Sequence, residues 1–199
     1  MKTFEDGNIE IEYSEENEPC ILELMNQVLI AYDTVTSLFN LEDYDKKIKI
    51  ILYNNIEELH QDVFGERRED WGVACGDENG HLKLLTPLNP GKVHKYNDIL
   101  KIAQKCVGDI IIEDSFKDIP DWLDITAYLF ELMNSKITRH VPDIQNIQSF
   151  SDAYFVTRFL TKTFGLEKIV EIYENPKVYN KILGLTDEEI ENQMVEFYK

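Results

Sequence analysis

Cysteine is scarce in this 199-residue chain: Cys20, Cys75 and Cys106 are the only three, widely spaced and without a CxxC pair. That set excludes a disulfide framework or a zinc ribbon and predicts reduced thiols, with the cytoplasm as the expected compartment. Positive charge is also in short supply, with 20 Lys and Arg against 38 Asp and Glu and a net charge of −18. Such acidity repels phosphate backbones and anionic lipid surfaces, so no nucleic acid and no membrane is expected as a partner. No apolar run approaches the roughly 20 residues of a membrane span. The opening stretch, Met1 to Pro19, is acidic and lacks the basic and apolar regions of an export signal, so the chain is expected to be unexported. Internal repeats and low-complexity tracts are missing as well, which excludes solenoid and disordered classes.

What remains is the composition of a globular protein, 43% hydrophobic and 29% charged. Ile9, Ile11 and Tyr13 alternate with acidic residues and predict a half-buried strand. Pro19 opens a long helix with Ile21, Leu24, Met25, Val28, Leu29, Tyr32, Val35 and Phe39 at helical spacing. Lys47 to Tyr53 is β-branched and predicts a second strand, and Ile56 to Phe64 a short helix. Val73 to Gly76 and His81 to Leu85 predict a hairpin, joined through Asp77-Glu78-Asn79-Gly80 with its Asn-Gly turn signal.

From Tyr96 the pattern turns helical. Ile99, Ile102, Ala103, Cys106, Val107, Ile110 and Ile111 recur at three- and four-residue steps, and a further helix is predicted from Pro120 through Ile137. The tail predicts three more helices: one closed by Gly165, one from Leu166 to Tyr173, and one whose Thr186 and Glu189 form a capping box. The expected fold class is α+β, a mixed sheet with long helices followed by a mostly helical lobe.

Several strings carry a resemblance. WGVACG followed by HLKLLTPLNP, KYNDILKIAQKCVGDIII, IPDWLDITAYLFE, and the tail segments SDAYFVTRFLTKTFGLEKIVEI and ILGLTDEEIENQMVEFYK together resemble the gluzincin (peptidase MA-like) metallopeptidases. The resemblance spans nearly the whole chain. It implies a zincin-like fold in one compact unit, with an N-terminal α+β subdomain over 1–115, including the first zinc-helix equivalent, and a helical subdomain over 116–199. Active members carry His-Glu-x-x-His, because i, i+4 spacing puts two imidazoles on one helix face to bind zinc, with the Glu as general base. That motif is missing here. The flanking ILKIA string places Lys105 and Asp109 at the two His positions and Cys106 at the base position, while Ile125 stands at the third ligand and Thr126 at the neighbouring Gly. Pro120, Trp122 and Leu123 are retained, and Phe130 replaces a tyrosine.

Zinc needs three or four converging donors, and here an ammonium at Lys105 opposes the cation while Ile125 offers no donor. Cys106 and Asp109 alone make a weak pair of ligands. The expected metal and cofactor content is therefore none. A thiol at the base position invites a nucleophile, but Lys105 points about 100 degrees away around the helix, and no local motif brings a histidine near. The plainer reading makes Cys106, like Cys20 and Cys75, a packing residue. His60, His81, His94 and His140 show no HxH or HxxxH spacing and read as surface or hairpin histidines. Lys105 and Asp109, one turn apart, either neutralise each other in the vacated cleft or form a solvated pair.

The resemblance thus implies a catalytically inactive homologue, a pseudopeptidase, in which Lys105, Cys106, Asp109 and Ile125 gather in a cleft without zinc. The family's substrates lie as an added strand, so His81, Leu82, Lys83, Leu84 and Leu85, with Trp122, are expected to bind an extended peptide or protein segment, basic or neutral in view of the net charge. The competing reading is an active hydrolase or peptidase that uses an unrecognised metal site or Cys106. A third reading, a structural partner in a complex, differs only in whether the cleft is open.

Overall fold

The computed structural model describes residues 1–77, 80–132 and 142–199. It is α+β, with a five-stranded mixed sheet and eight α-helices among the described residues. Two compact units divide the chain, Met1–Ile112 and Glu113–Lys199.

The first unit opens with β1 (Lys2–Asp6), a strand the hydrophobic pattern does not announce, because Phe4 is its only large apolar residue. It pairs antiparallel with β2 (Ile9–Tyr13), and the pairing of Asp6 with Ile9 leaves Gly7 and Asn8 as a two-residue loop. Gly7, at φ 55, supplies the left-handed geometry such a hairpin demands. A 3-10 turn (Glu15–Asn17) leads into α1 (Glu18–Leu38), which Pro19 starts in the first turn as expected. β3 (Ile48–Tyr53) returns parallel to β2, the crossover being α1 itself. α2 (Ile56–Phe64) is capped by the Asn55 side chain and ended by Gly65 at φ 71. β4 (Ala74–Gly76) and β5 (Leu82–Leu85) follow, antiparallel to each other, with β5 parallel to β3. The strand order is β1-β2-β3-β5-β4.

Alternation gives the sheet two faces of different character. Ile9, Ile11, Tyr13, Ile48, Ile50, Leu52, Leu82 and Leu84 share one face and are buried. The opposite face carries Glu10, Glu12 and Lys49, with Lys49 Nζ 2.6 Å from Glu12 and 3.3 Å from Glu10. α3 (Tyr96–Ser115) buries Ile99, Ala103, Val107 and Ile111 as expected. Ile102, Cys106 and Ile110 stay partly exposed, so the buried stripe is narrower than the apolar pattern suggested.

The second unit is helical. The expected helix beginning at Pro120 is corrected to α4, only Ile125–Leu129, because the Asp124 side chain caps it by accepting from Ala127 N–H, and Glu131 at φ 49 ends it. Trp122 and Leu123 therefore precede the helix. Residues 133–137 of the expected helix lie outside the described residues, as do Glu78, Asn79 and His140. α5 (Phe150–Phe164) has a Ser149/Asp152 capping box and ends at Gly165, which also begins α6 (Leu166–Glu174). A 3-10 turn (Pro176–Val178) and α7 (Tyr179–Leu183) precede α8 (Asp187–Phe197), where the Thr186/Glu189 capping box forms as the spacing implied. Tyr198 closes this unit by donating its hydroxyl to Phe155 O at 2.7 Å, with the two rings edge to face at 5.5 Å.

Candidate functional site

Three of the four positions singled out in the sequence lie on α3 in the first unit. Lys105 and Asp109 face each other across one helical turn, Nζ to Oδ2 at 2.5 Å, with side chains 16% and 29% exposed. Partial burial screens this contact less than a fully exposed helical ion pair. Cys106 is partly exposed and unbridged, as are Cys75 and the buried Cys20. Ile125 belongs to the second unit, at the first position of α4, and is fully buried. Trp122 also lies there and is corrected from a binding aromatic to a core residue. It is buried, its ring meets Tyr179 edge to face at 5.0 Å, and its carbonyl accepts from Thr157 Oγ1 at 3.2 Å.

A second correction concerns strand addition. β5 lies between β3 and β4, so His81 to Leu85 sit on an interior strand whose ladder is already filled on both sides. Leu82, Leu84 and Leu85 are buried, and His81 is held to Asp77 by its backbone N–H at 3.0 Å and by Nδ1 at 3.2 Å. The edge on this side of the sheet is β4. Leu85 N–H bonds to Val73 O and Asp77 N–H to His81 O, which fixes the alternation. Val73, Cys75 and Asp77 face β5, whereas Ala74 and Gly76 point their main-chain N–H and C=O away from the sheet.

Beside that edge lies a cavity of about 440 Å³ lined by Asp62, Phe64, Cys75, Gly76, Asp77 and Lys83. α2 brings Asp62 to it, where Oδ2 accepts from Tyr53 OH at 2.6 Å and from Lys83 Nζ at 2.5 Å. The hydrogen bond to Lys83, then the one to Tyr53, holds the Asp62 carboxyl below its usual range. The same bond to Asp62 raises Lys83, while burial and then Asp62 raise the Tyr53 phenol. A neighbouring cavity of about 590 Å³ shares Asp62 and adds Glu57, Glu58 and Gln61. The two form a strongly acidic surface whose single lysine is already engaged by Asp62.

His60 is a residue that sequence reasoning missed. It is fully buried, with Nε2 2.6 Å from Gly72 O, and Nδ1 3.0 Å from Arg68 N–H and 2.9 Å from Arg67 Nη1. A carbonyl only accepts and an amide N–H only donates, so Nε2 carries the proton and Nδ1 accepts. His60 thereby ties α2 to the loop that leads into β4. Its spacing from Ile56 and Leu59, on the buried stripe of α2, was the available signal.

No group of three or more His, Cys, Asp or Glu suited to a metal ion occurs among the described residues, and none of their helices is long and apolar enough to cross a membrane. The chain matches no family model, no curated protein and no solved structure.

Proposed function

We propose that this chain is a catalytically inactive relative of the gluzincin metallopeptidases that binds an extended peptide or protein segment in the cytoplasm. The observation that carries the reading is the Lys105–Asp109 ion pair. It occupies the i, i+4 positions at which the resemblance places two zinc-binding imidazoles, with an ammonium at one and a carboxylate engaged by that ammonium at the other. Ile125, at the third ligand position, is an apolar core residue. Cys20, Cys75 and Cys106 are not joined in disulfides, which suits a reducing compartment.

The β4 edge, which no strand among the described residues pairs, is the better candidate for strand addition, in place of β5. Ala74 and Gly76 offer main-chain groups to an added strand, and Glu57, Glu58, Asp62 and Asp77 beside them favour a basic segment over an acidic one. The test is fluorescence anisotropy with labelled extended peptides of equal length, one lysine-rich and one glutamate-rich, on the full chain. The lysine-rich peptide should bind more tightly. Ala74→Pro removes an outward N–H without touching the β5 ladder and should abolish that binding. Equal affinity for both peptides, or binding that survives Ala74→Pro, overturns the assignment. Zinc content and peptide cleavage measured on the same preparation test the catalytic half, which stoichiometric zinc with chelator-sensitive cleavage would refute.

A further inference from the structure

The other edge of the sheet is β1, and we propose that it is a self-pairing surface that joins two copies of the chain through antiparallel β1–β1 contact. This inference is independent of the peptide-binding proposal and uses the opposite end of the sheet. The hairpin loop Gly7–Asn8 makes Asp6 and Ile9 a hydrogen-bonded pair, so by alternation Phe4 with Ile11 and Lys2 with Tyr13 are too. Thr3 and Glu5 are left to point their main-chain N–H and C=O outward, and no described strand takes them up.

The register that satisfies all these groups between two copies is set by the sequence of β1. Placing Phe4 on a two-fold axis sets Thr3 opposite Glu5 of the second copy and Glu5 opposite Thr3, which closes four main-chain hydrogen bonds. The same register sets Lys2 opposite Asp6 of the second copy, twice over, so the strand is charge-complementary to itself when antiparallel. Glu5 meets no unmatched like charge there, because Lys47 Nζ already lies 3.2 Å from its Oε1.

Apolar surface supports the same face. Phe4 is half-buried and its side chain lies on the same side of the sheet as Ile11, so a second Phe4 across the axis would extend the buried face. Lys2 Nζ lies 3.0 Å from Glu18, which ties the first turn of α1 to β1. Edge strands that stay single are usually shortened, bulged, broken by proline or guarded by charged side chains. β1 has no bulge and no proline, is in full register with β2, and its guarding charges Lys2 and Asp6 become complementary in the antiparallel self-pairing.

The net charge of −18 on each copy opposes association at low ionic strength, so the measurement belongs at about 0.15 M salt. Sedimentation equilibrium on the full chain should show a dimer at a loading of about 100 µM, a high concentration chosen because a small interface associates weakly. Thr3→Pro, which deletes an outward N–H, and Phe4→Glu, which sets two carboxylates on the axis, should each weaken association at least tenfold with the circular dichroism spectrum unchanged. Concentration-dependent amide exchange supplies a readout that needs no variant. Thr3 and Glu5 amides should gain protection as concentration rises, and Ala74 and Gly76 amides should not. A chain that stays monomeric at that concentration overturns the proposal. So does a dimer that protects Ala74 and Gly76 instead, or one that Thr3→Pro leaves intact.

Discussion

The buried His60 ring donates from Nε2 to the carbonyl of Gly72 at 2.6 Å and accepts the Arg68 N–H on Nδ1 at 3.0 Å, so one side chain closes both ends of the loop before β4. His60→Ala would remove the partner of the part-buried Gly72 carbonyl and Arg68 amide and open a cavity beside Phe64, whose ring sits 5.6 Å away. Loss of about 2–4 kcal/mol of unfolding free energy is expected, measured by urea denaturation. A change within about 0.5 kcal/mol, the range of a neutral surface substitution, would show that the two bonds are dispensable.

A pH prediction follows from Glu191. Burial first, and then the neighbouring Asp143 carboxylate, raise its folded pKa above the ordinary glutamate value of 4.5. A group raised in this way binds its proton more tightly folded than unfolded, so its contribution is fully present below the unfolded pKa and is lost as pH rises through the folded one. Glu191→Gln removes that loss. The variant should therefore have a higher thermal midpoint than the natural protein at pH 7, with the advantage shrinking as the pH is lowered toward 4.5. An advantage that grows on acidification would contradict the assignment.

Thr161, on α5, has a buried hydroxyl with no hydrogen-bond partner among the described residues. A buried hydroxyl without a partner is destabilising relative to a methyl of the same shape. Thr161→Val should accordingly raise stability by about 1 kcal/mol, read from the denaturation midpoint at constant slope.

How much of this was legible in the sequence depends on whether a feature is local. β2 and β3 were legible from alternation, and Thr186 with Glu189 from its spacing, because each is decided within a few residues. β1 was not, because its charged residues flank one phenylalanine and it is held by its pairing to Ile9–Tyr13; its one local signal was the Gly7-Asn8 turn. The Lys105–Asp109 contact was legible from i, i+4 spacing. The position of β5 inside the sheet was not, because hairpin patterning does not say which arm pairs with β3, and that parallel pairing is the long-range contact that makes β4 the edge.

The last prediction separates a dead metal site from a disguised one. Ile125 is fully buried, and its N–H lies 3.2 Å from the Tyr173 hydroxyl, which itself donates to Leu123 O. Ile125→Glu would put a carboxylate among these groups with no cation to meet it, at a cost of about 3 kcal/mol or more. Lys105→Ala would remove the ammonium that lies 2.5 Å from the partly buried Asp109 carboxylate. In a double-mutant cycle, Lys105→Ala and Asp109→Ala should show a coupling of about 1 kcal/mol, above the few tenths of a solvated helical pair. Adding zinc should change none of these stabilities. Peptide cleavage by the natural protein that disappears on Cys106→Ala would defeat this reading and make Cys106 a nucleophile.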